Sequence, residues 1–362
     1  MAEKYQRYHG FDLLRGFALI CGIVIHAPLA LRIDDIVGDT TNVQIPIIID
    51  LISGWIHQWR MPVFFLIAGF FSHMKMIKKN VLAFAHDRVA RLIPSLIFFS
   101  GFYALIWDSD FGELFHLWFI YYLFIISIFT SFFQYVSQKL ETDYVDKFLA
   151  YFADKKFGFF LYLIPITLLT FWGRTDGIEG IIPKHFFQLE VKPLIYYWSW
   201  FLLGQIIFTR KHLIVFTQKL GVIIFFVATS FLCQFASWFL LEHTEIRGLT
   251  INFFSASATF SWAFLFIGLF TKLICKPIAI LNFLVKVSYP VYLVHLAPAI
   301  FFGAIFFKLG LYPMTIFLLN IMTTSIASLA IYFFFIKFTP LDWIISGYSK
   351  SWLQPFSRRV VE

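Results

Sequence analysis

Arg15 and His26 lie eleven residues apart in the first apolar segment of the chain. On an α-helix, which turns about 100° and rises about 1.5 Å per residue, both side chains lie on one stripe, about 16.5 Å apart. Ionisable groups are costly inside apolar helices, so their presence favours a functional role. An imidazole suits proton transfer near neutral pH, and a guanidinium suits phosphate oxygens.

Two neighbours on the same helix strengthen this interpretation. Asp12 precedes Arg15 by three residues and can pair with it, which offsets part of the cost of burying the arginine. Gly22 lies on the stripe between Arg15 and His26, and a residue this small predicts a slot along the helix. The alternative is that Asp12 and Arg15 anchor the helix at the membrane interface and His26 is a hydrogen-bonded core residue.

The second apolar segment also holds a positive charge, Arg60, well inside its span. Pro62 follows two residues later, and a proline within a helix frees a backbone carbonyl and bends the chain. The segment runs inward from the outside, which puts Arg60 and His57 at about the depth of His26. This pattern predicts a polar cavity that opens outward; an arginine paired with another helix is the alternative.

Arg88 and Arg91 lie one helical turn apart at the cytoplasmic edge of the third segment. Guanidinium groups suit phosphate oxygens, but arginines at a membrane edge are also ordinary anchors. Further apolar segments carry His116 and His295. With His26 and His57 they make four histidines predicted to be buried, and these four together with Arg60 are candidates for a site. Cys21, Cys233 and Cys275 show no spacing typical of metal ligands, and no metal site is predicted.

The elements that position these residues are predicted from composition. Of the 362 residues, 60% are hydrophobic and 14% are charged, which rules out a soluble protein. A helix needs about 20 residues to cross the hydrocarbon core. Ten apolar segments meet this need approximately, at 11–32, 47–73, 89–107, 114–135, 157–174, 193–209, 220–242, 250–271, 287–307 and 312–336. We predict an all-α polytopic membrane protein, a single bundle of about ten transmembrane helices over 1–346, with a cytoplasmic C-terminal tail at 347–362.

The placement of charge predicts the orientation. Most of the 29 basic residues fall on one side of the bundle if the N-terminus is in the cytoplasm. Cytoplasmic loops carry an excess of Lys and Arg, so both termini are predicted to be cytoplasmic. The excess of cytoplasmic Lys and Arg accounts for the net charge of +8, so this charge does not indicate a nucleic-acid partner and none is expected.

Taken together, these motifs resemble the acyltransferase family 3 of integral-membrane enzymes. The resemblance spans nearly the whole chain and rests on Asp12-Leu-Leu-Arg15-Gly16 followed by His26, Met61-Pro-Val-Phe-Phe-Leu-Ile-Ala-Gly69, Arg88-x-x-Arg91 and Ser288-Tyr-x-x-Tyr-Leu-x-His295. Within the family, the most similar branch is that of the glucan succinyltransferases of Gram-negative envelopes. That similarity rests on His57-x-x-Arg60-Met-Pro, His116-Leu-Trp-Phe-x-Tyr-Tyr and Pro340-Leu-Asp-Trp343.

The resemblance implies an activity and an assignment of residues. The acyl group, succinyl or acetyl, would come from cytoplasmic acyl-CoA as co-substrate, with no permanently bound cofactor, and pass to a hydroxyl of an envelope glycan such as periplasmic glucan. Arg15, Arg88 and Arg91 would hold the CoA phosphates, and the pantetheine arm would pass Gly22. His26 would be the general base of a single-step transfer, with a two-step route through an acyl-histidine as the alternative, while Asp12 would hold Arg15.

The resemblance leaves the other candidates without individual roles. They would orient His26, bind the acceptor or stabilise the oxyanion, and they are Arg60, His57, His116, Tyr289, Tyr292 and His295. The implied location is the inner membrane, multi-pass, with a periplasmic partner or a second copy of the chain near the short outer loops. The main alternative is a transporter or proton-coupled carrier; such folds often contain inverted repeats, and the motifs of the first half do not recur in the second.

Overall fold

The computed structural model describes residues 8–32, 44–140, 147, 151, 158–174, 183–242, 248–276 and 278–346. Helices dominate this part of the chain, and the only β pairing within it is an isolated bridge between Glu113 and His185, which confirms the all-α prediction. The α-helices are α1 His9–His26, α2 Ile47–Lys79, α3 Val81–Trp107, α4 Trp118–Lys139, α5 Gly158–Leu161, α6 Leu163–Arg174, α7 Val191–Thr209, α8 His212–Thr217, α9 Leu220–Glu242, α10 Leu249–Leu273, α11 Ala279–Val294, α12 Leu296–Lys308, α13 Pro313–Ile331 and α14 Pro340–Ile345.

Seven helical stretches of the described chain are long and apolar enough to cross a membrane, and the bent pair α11 and α12 makes an eighth. The remaining two of the ten predicted segments also form helices. Segment 157–174 gives a shorter apolar helix, Gly158–Gly173, and segment 193–209 gives α7, in which tyrosines and tryptophans lower the hydropathy. The predicted tail at 347–362 lies outside the described residues.

Two helices differ from the sequence prediction in ways that affect the site. Helix α3 begins at Val81 rather than near 89, because the Asn80 side chain accepts a hydrogen bond from the Ala83 N–H and caps the start. Instead of one continuous helix over 287–307, α11 and α12 meet at a bend of 66°. Pro298 accounts for the bend, since it lacks the N–H that would bond to the carbonyl of Val294 and its ring crowds that carbonyl.

Helix α10 lies in the interior of the bundle, where it contacts α1, α2, α6, α8 and α9. Helices α2 and α7 pack most closely through two glycines. A Cβ at Gly69 would collide with the Phe201 carbonyl, and a Cβ at Gly204 would collide with the Leu66 carbonyl. Small residues at such crossings let helix backbones approach each other in a membrane. This contact holds α2, and therefore Arg60, in place.

We expect Gly204→Ala to destabilise the protein by about 3 kcal/mol, the upper end of the usual cost of overpacking, because the new methyl group meets backbone rather than a movable side chain. The measurement is thermal or denaturant unfolding in detergent. Gly221→Ala is the matched control, since a Cβ there meets nothing within 4 Å. Equal stability of the two variants would contradict the close crossing.

Candidate active site

The two ends of α1 carry different chemistry. In its N-terminal part, an Arg15 guanidinium nitrogen lies 3.7 Å from an Asp12 carboxylate oxygen, which confirms the predicted pair. At the other end, His26 is half-buried and is the last residue of the helix. Since α1 is continuous from His9 to His26, the two side chains keep the helical spacing that the sequence predicts.

Three histidines form a cluster around the C-terminal end of α1. The ring centroids of His26 and His295 are 5.2 Å apart, those of His116 and His295 are 5.1 Å apart, and those of His26 and His116 are 6.2 Å apart. His116 and His295 are buried. His57 is exposed and is within electrostatic range of His26. Three of the four predicted histidines therefore meet at one place.

The bend between α11 and α12 organises the cluster. The Tyr292 carbonyl faces two ring nitrogens, His116 Nε2 at 3.0 Å and His295 Nδ1 at 2.8 Å. The Tyr292 hydroxyl in turn donates to the His116 carbonyl at 2.6 Å. Next to it, the Tyr103 hydroxyl donates to the Leu293 carbonyl at 2.8 Å. Side chains thus satisfy carbonyls at the bend, and they hold both histidines there.

Arg60 lies beside this cluster and is 8% exposed. A Cβ added to Gly22 would lie 2.9 Å from Arg60 Nη1 and 3.7 Å from His295 Nε2, so the missing side chain of Gly22 makes room for the guanidinium. The slot that the sequence predicts beside Gly22 is therefore occupied by Arg60. Helix α2 runs through Pro62 without a break.

Within the described part of the chain, no carboxylate forms an ion pair with Arg60. Its Nη2 contacts the Met61 sulfur at 3.6 Å, and its Nε is buried without a hydrogen-bond partner among the same residues. A buried charge is normally paired, because an unpaired one is costly to desolvate. The described residues therefore show no salt bridge from Arg60 to another helix, which was the structural alternative for this arginine.

A second charged cluster lies in the N-terminal part of α3, where Asp87 contacts three cations. Its carboxylate is 2.9 Å from Arg91 Nε, 3.5 Å from Lys75 Nζ and 3.7 Å from Arg88 Nη2. The Arg88 side chain is 15% exposed and lies over the Phe84 ring. Arg15 and Arg91 are both within electrostatic range of Arg88. One carboxylate among several cations leaves excess positive charge for an anion.

Sequence reasoning missed three residues of these sites. The pairing of Asp87 with Arg91, four residues later on one helix, could have been found from spacing. Lys75 of α2 reaches Asp87 only because α2 packs on α3. Tyr103 of α3 reaches the Leu293 carbonyl only because α3 lies beside α11. Tyr289, a predicted acceptor or oxyanion candidate, lies within electrostatic range of Arg88 and Arg91 rather than in the histidine cluster.

No group of three His, Cys, Asp or Glu side chains in the described ranges is arranged to hold a metal ion. The arrangement can bind an anion near the N-terminal part of α1 and transfer a proton near a buried guanidinium at the C-terminal end of α1. The family described as "Acyltransferase domain" matches residues 8–336. The chain belongs to this acyltransferase family. Together with the apolar helices, this membership makes it a multi-pass membrane acyltransferase.

Among curated proteins, the chain is similar to glucans biosynthesis protein C of Escherichia coli. The protein of strain K12 is 23% identical over 339 residues, which cover 83% of this chain and 84% of that relative. The protein of strain O1:K1 is 22% identical over the same coverage. No solved structure matches the chain.

Proposed function

We propose that the protein transfers an acyl group, succinyl or acetyl, from cytoplasmic acyl-CoA to a hydroxyl of an envelope glycan. The observation that carries the proposal is the pair of sites at the two ends of α1, a cationic cluster at one end and a histidine cluster with a buried arginine at the other. The proposed setting is the inner membrane, with the ten helical segments as spans and both termini in the cytoplasm. The name of the similar Escherichia coli proteins supports a glucan as the acceptor.

The donor binds at the inner edge in this proposal. Arg15, Arg88 and Arg91 contact the CoA phosphates through charge-assisted hydrogen bonds, and Asp12 orients Arg15. The separation of Arg15 and His26, about 16.5 Å, is spanned by an extended pantetheine arm. Because Arg60 fills the space beside Gly22, the arm passes along the Arg60 guanidinium on its way to His26.

His26 acts as the general base. It takes the proton of the acceptor hydroxyl while the hydroxyl oxygen bonds to the thioester carbonyl carbon, which gives a tetrahedral intermediate with a negatively charged oxygen. The carbon–sulfur bond then breaks, and the leaving sulfur of CoA receives the proton from His26. The products are the acylated glycan and free CoA.

Arg60 stabilises the tetrahedral oxygen in this scheme. A buried guanidinium without an acidic partner among the described residues lies next to the histidines and presents hydrogen-bond donors where the negative charge develops. Preorganised donors of this kind are worth most where water is excluded. His57, His116, Tyr292 and His295 line the acceptor side.

We expect Arg88→Ala and Arg91→Ala each to weaken acyl-CoA binding about tenfold or more, since a hydrogen bond to a charged group contributes about 1.5–3 kcal/mol. The measurement is equilibrium binding of acetyl-CoA and succinyl-CoA to purified protein in detergent. Arg32→Ala is the matched control, because Arg32 pairs with Asp50 away from this cluster. Unchanged affinity in both variants would mean that Arg88 and Arg91 only anchor α3 at the membrane edge.

The proposal as a whole is tested by mass spectrometry of envelope glycans from cells with the protein, without it, and with a His26→Ala variant. The expected result is an acyl modification on a glycan that only the intact protein restores. Identical glycans in all three strains would refute the proposed function. The mass of the modification distinguishes succinyl from acetyl.

A further inference from the structure

The break between α11 and α12 exposes main-chain carbonyls inside the protein. Backbone hydrogen bonds run from His295 N to Val291 O and from Ala299 N to His295 O, each at 3.0 Å. Between them, the carbonyls of Tyr292 and Leu293 accept hydrogen bonds from side chains. The bend therefore turns a main-chain oxygen, that of Tyr292, into a partner for the histidine cluster.

That oxygen determines which ring nitrogens carry hydrogen. A carbonyl oxygen only accepts hydrogen bonds, so His295 Nδ1 and His116 Nε2, which face it at 2.8 and 3.0 Å, must both be N–H donors. In a neutral imidazole the other nitrogen then has a free lone pair. His295 Nε2 and His116 Nδ1 are these nitrogens, and both are buried without a hydrogen-bond partner among the described residues.

His26 is the group best placed to donate to His295 Nε2. Its ring centroid is 5.2 Å from that of His295, close enough for two ring nitrogens to reach hydrogen-bond distance by a small side-chain rotation. His116 cannot fill this role, because its remaining nitrogen also lacks a hydrogen. Arg60, whose Nη1 lies near the same point beside Gly22, is the other available donor.

We propose that the Tyr292 carbonyl and His295 position His26 for catalysis. The carbonyl accepts from His295 Nδ1–H, and His295 Nε2 accepts from one ring N–H of His26, which leaves the second nitrogen of His26 bare toward the acceptor hydroxyl. This inference rests on the proposed function with His26 as base. His295 is a positioning residue, since it acts on the hydroxyl only through His26, and the proton of the hydroxyl passes to His26 and then to the CoA sulfur.

Two substitutions of His295 separate its hydrogen bonds. In His295→Asn the amide still reaches the Tyr292 carbonyl but leaves no acceptor at the position of Nε2. In His295→Gln the longer side chain places a carbonyl oxygen near that position, so it can accept from His26. We expect His295→Asn to lower kcat about 100-fold with little change in the KM for acyl-CoA. His295→Gln should retain kcat within about tenfold of the wild type. Its side-chain carbonyl still accepts a hydrogen bond from His26, so His26 keeps the tautomer that it needs as a base.

A double-mutant cycle identifies the residue through which His295 acts. If His295 acts through His26, the loss caused by His295→Asn disappears in a His26→Ala background. A further 100-fold loss in that background would overturn the proposal, as would equal activity of His295→Asn and the wild type. A loss that persists without His26 but disappears in Arg60→Met would assign His295 to Arg60 instead. His73→Asn, a buried histidine of α2 outside the cluster, is the control for general damage.

A second measurement does not depend on activity. In protein labelled with ¹⁵N at histidine and held in a lipid bilayer, NMR distinguishes protonated from bare ring nitrogens. We expect a single neutral tautomer for His295 with hydrogen on Nδ1, and a His26 tautomer that changes in His295→Asn but not in His295→Gln. A His26 signal indifferent to both substitutions would overturn the positioning role even if the wild-type protein transfers acyl groups. Absence of acyl transfer by the wild type would refute the proposed function, but it would not change the NMR evidence that His295 sets the tautomer of His26.

Discussion

Replacement of His26 by alanine is expected to lower acyl transfer about 1,000-fold. A general base that takes the proton as the oxygen attacks contributes about 10² to 10⁴ in rate, and an alcohol is a poor nucleophile without one. Binding of acyl-CoA should stay unchanged, since Arg15 lies about 16.5 Å away along α1. The measurement is single-turnover transfer from labelled acyl-CoA, together with acyl-CoA affinity, for purified wild type and variant.

The control for this experiment is His73→Ala, which removes a buried histidine from α2 outside the cluster. It should leave the transfer rate within a few-fold of the wild type. If a folded His26→Ala protein transferred the acyl group at the normal rate, His26 would not be the base. If the affinity for acyl-CoA fell with the rate, the side chain would serve donor binding instead.

Replacement of Arg60 by methionine should separate activity from stability. Loss of one donor to a developing oxyanion typically lowers kcat about 10² to 10³-fold. Methionine resembles the arginine stem in shape, and its burial does not require desolvation of a charge. Since Arg60 is 8% exposed and makes no ion pair among the described residues, its removal should leave the unfolding temperature unchanged or raise it.

The matched comparison is Arg60→Lys, which keeps the charge but loses the planar fork of donors. We expect its kcat to fall between those of the wild type and Arg60→Met. A large fall in the unfolding temperature of Arg60→Met would show that the guanidinium is a structural element of the bundle. Wild-type kcat in a stable Arg60→Met protein would exclude Arg60 from the reaction.

Helical spacing accounts for what could be predicted from the sequence. The pairing of Asp12 with Arg15 follows from residues three apart on one helix, and the α1 stripe follows from its continuity. Convergence of His26, His116 and His295 depends on three elements that are distant along the chain. Motif resemblance indicated these histidines as candidates, but only the packing shows that their rings lie 5.1–6.2 Å apart.

Other features of the site follow from packing that local sequence signals do not specify. Gly22 indicated free space on α1, and the occupant of that space, Arg60, comes from α2. Pro298 is visible in the sequence, and its effect on the Val294 carbonyl could have predicted the bend. The consequence of the bend, a Tyr292 carbonyl that faces two histidines, also required the position of His116, which lies in the short helical turn Phe115–Leu117 before α4.

The most direct test of the central claim uses purified protein in sealed lipid vesicles. Labelled acetyl-CoA or succinyl-CoA is supplied on the side of Arg88 and Arg91, and a glycan fraction from envelopes of cells lacking the protein is enclosed on the side of His26. We predict that the label appears on the enclosed glycan, that free CoA stays outside, and that His26→Ala abolishes the transfer. Entry of intact acyl-CoA into the vesicles, with no label on the glycan, would show a carrier and contradict the account.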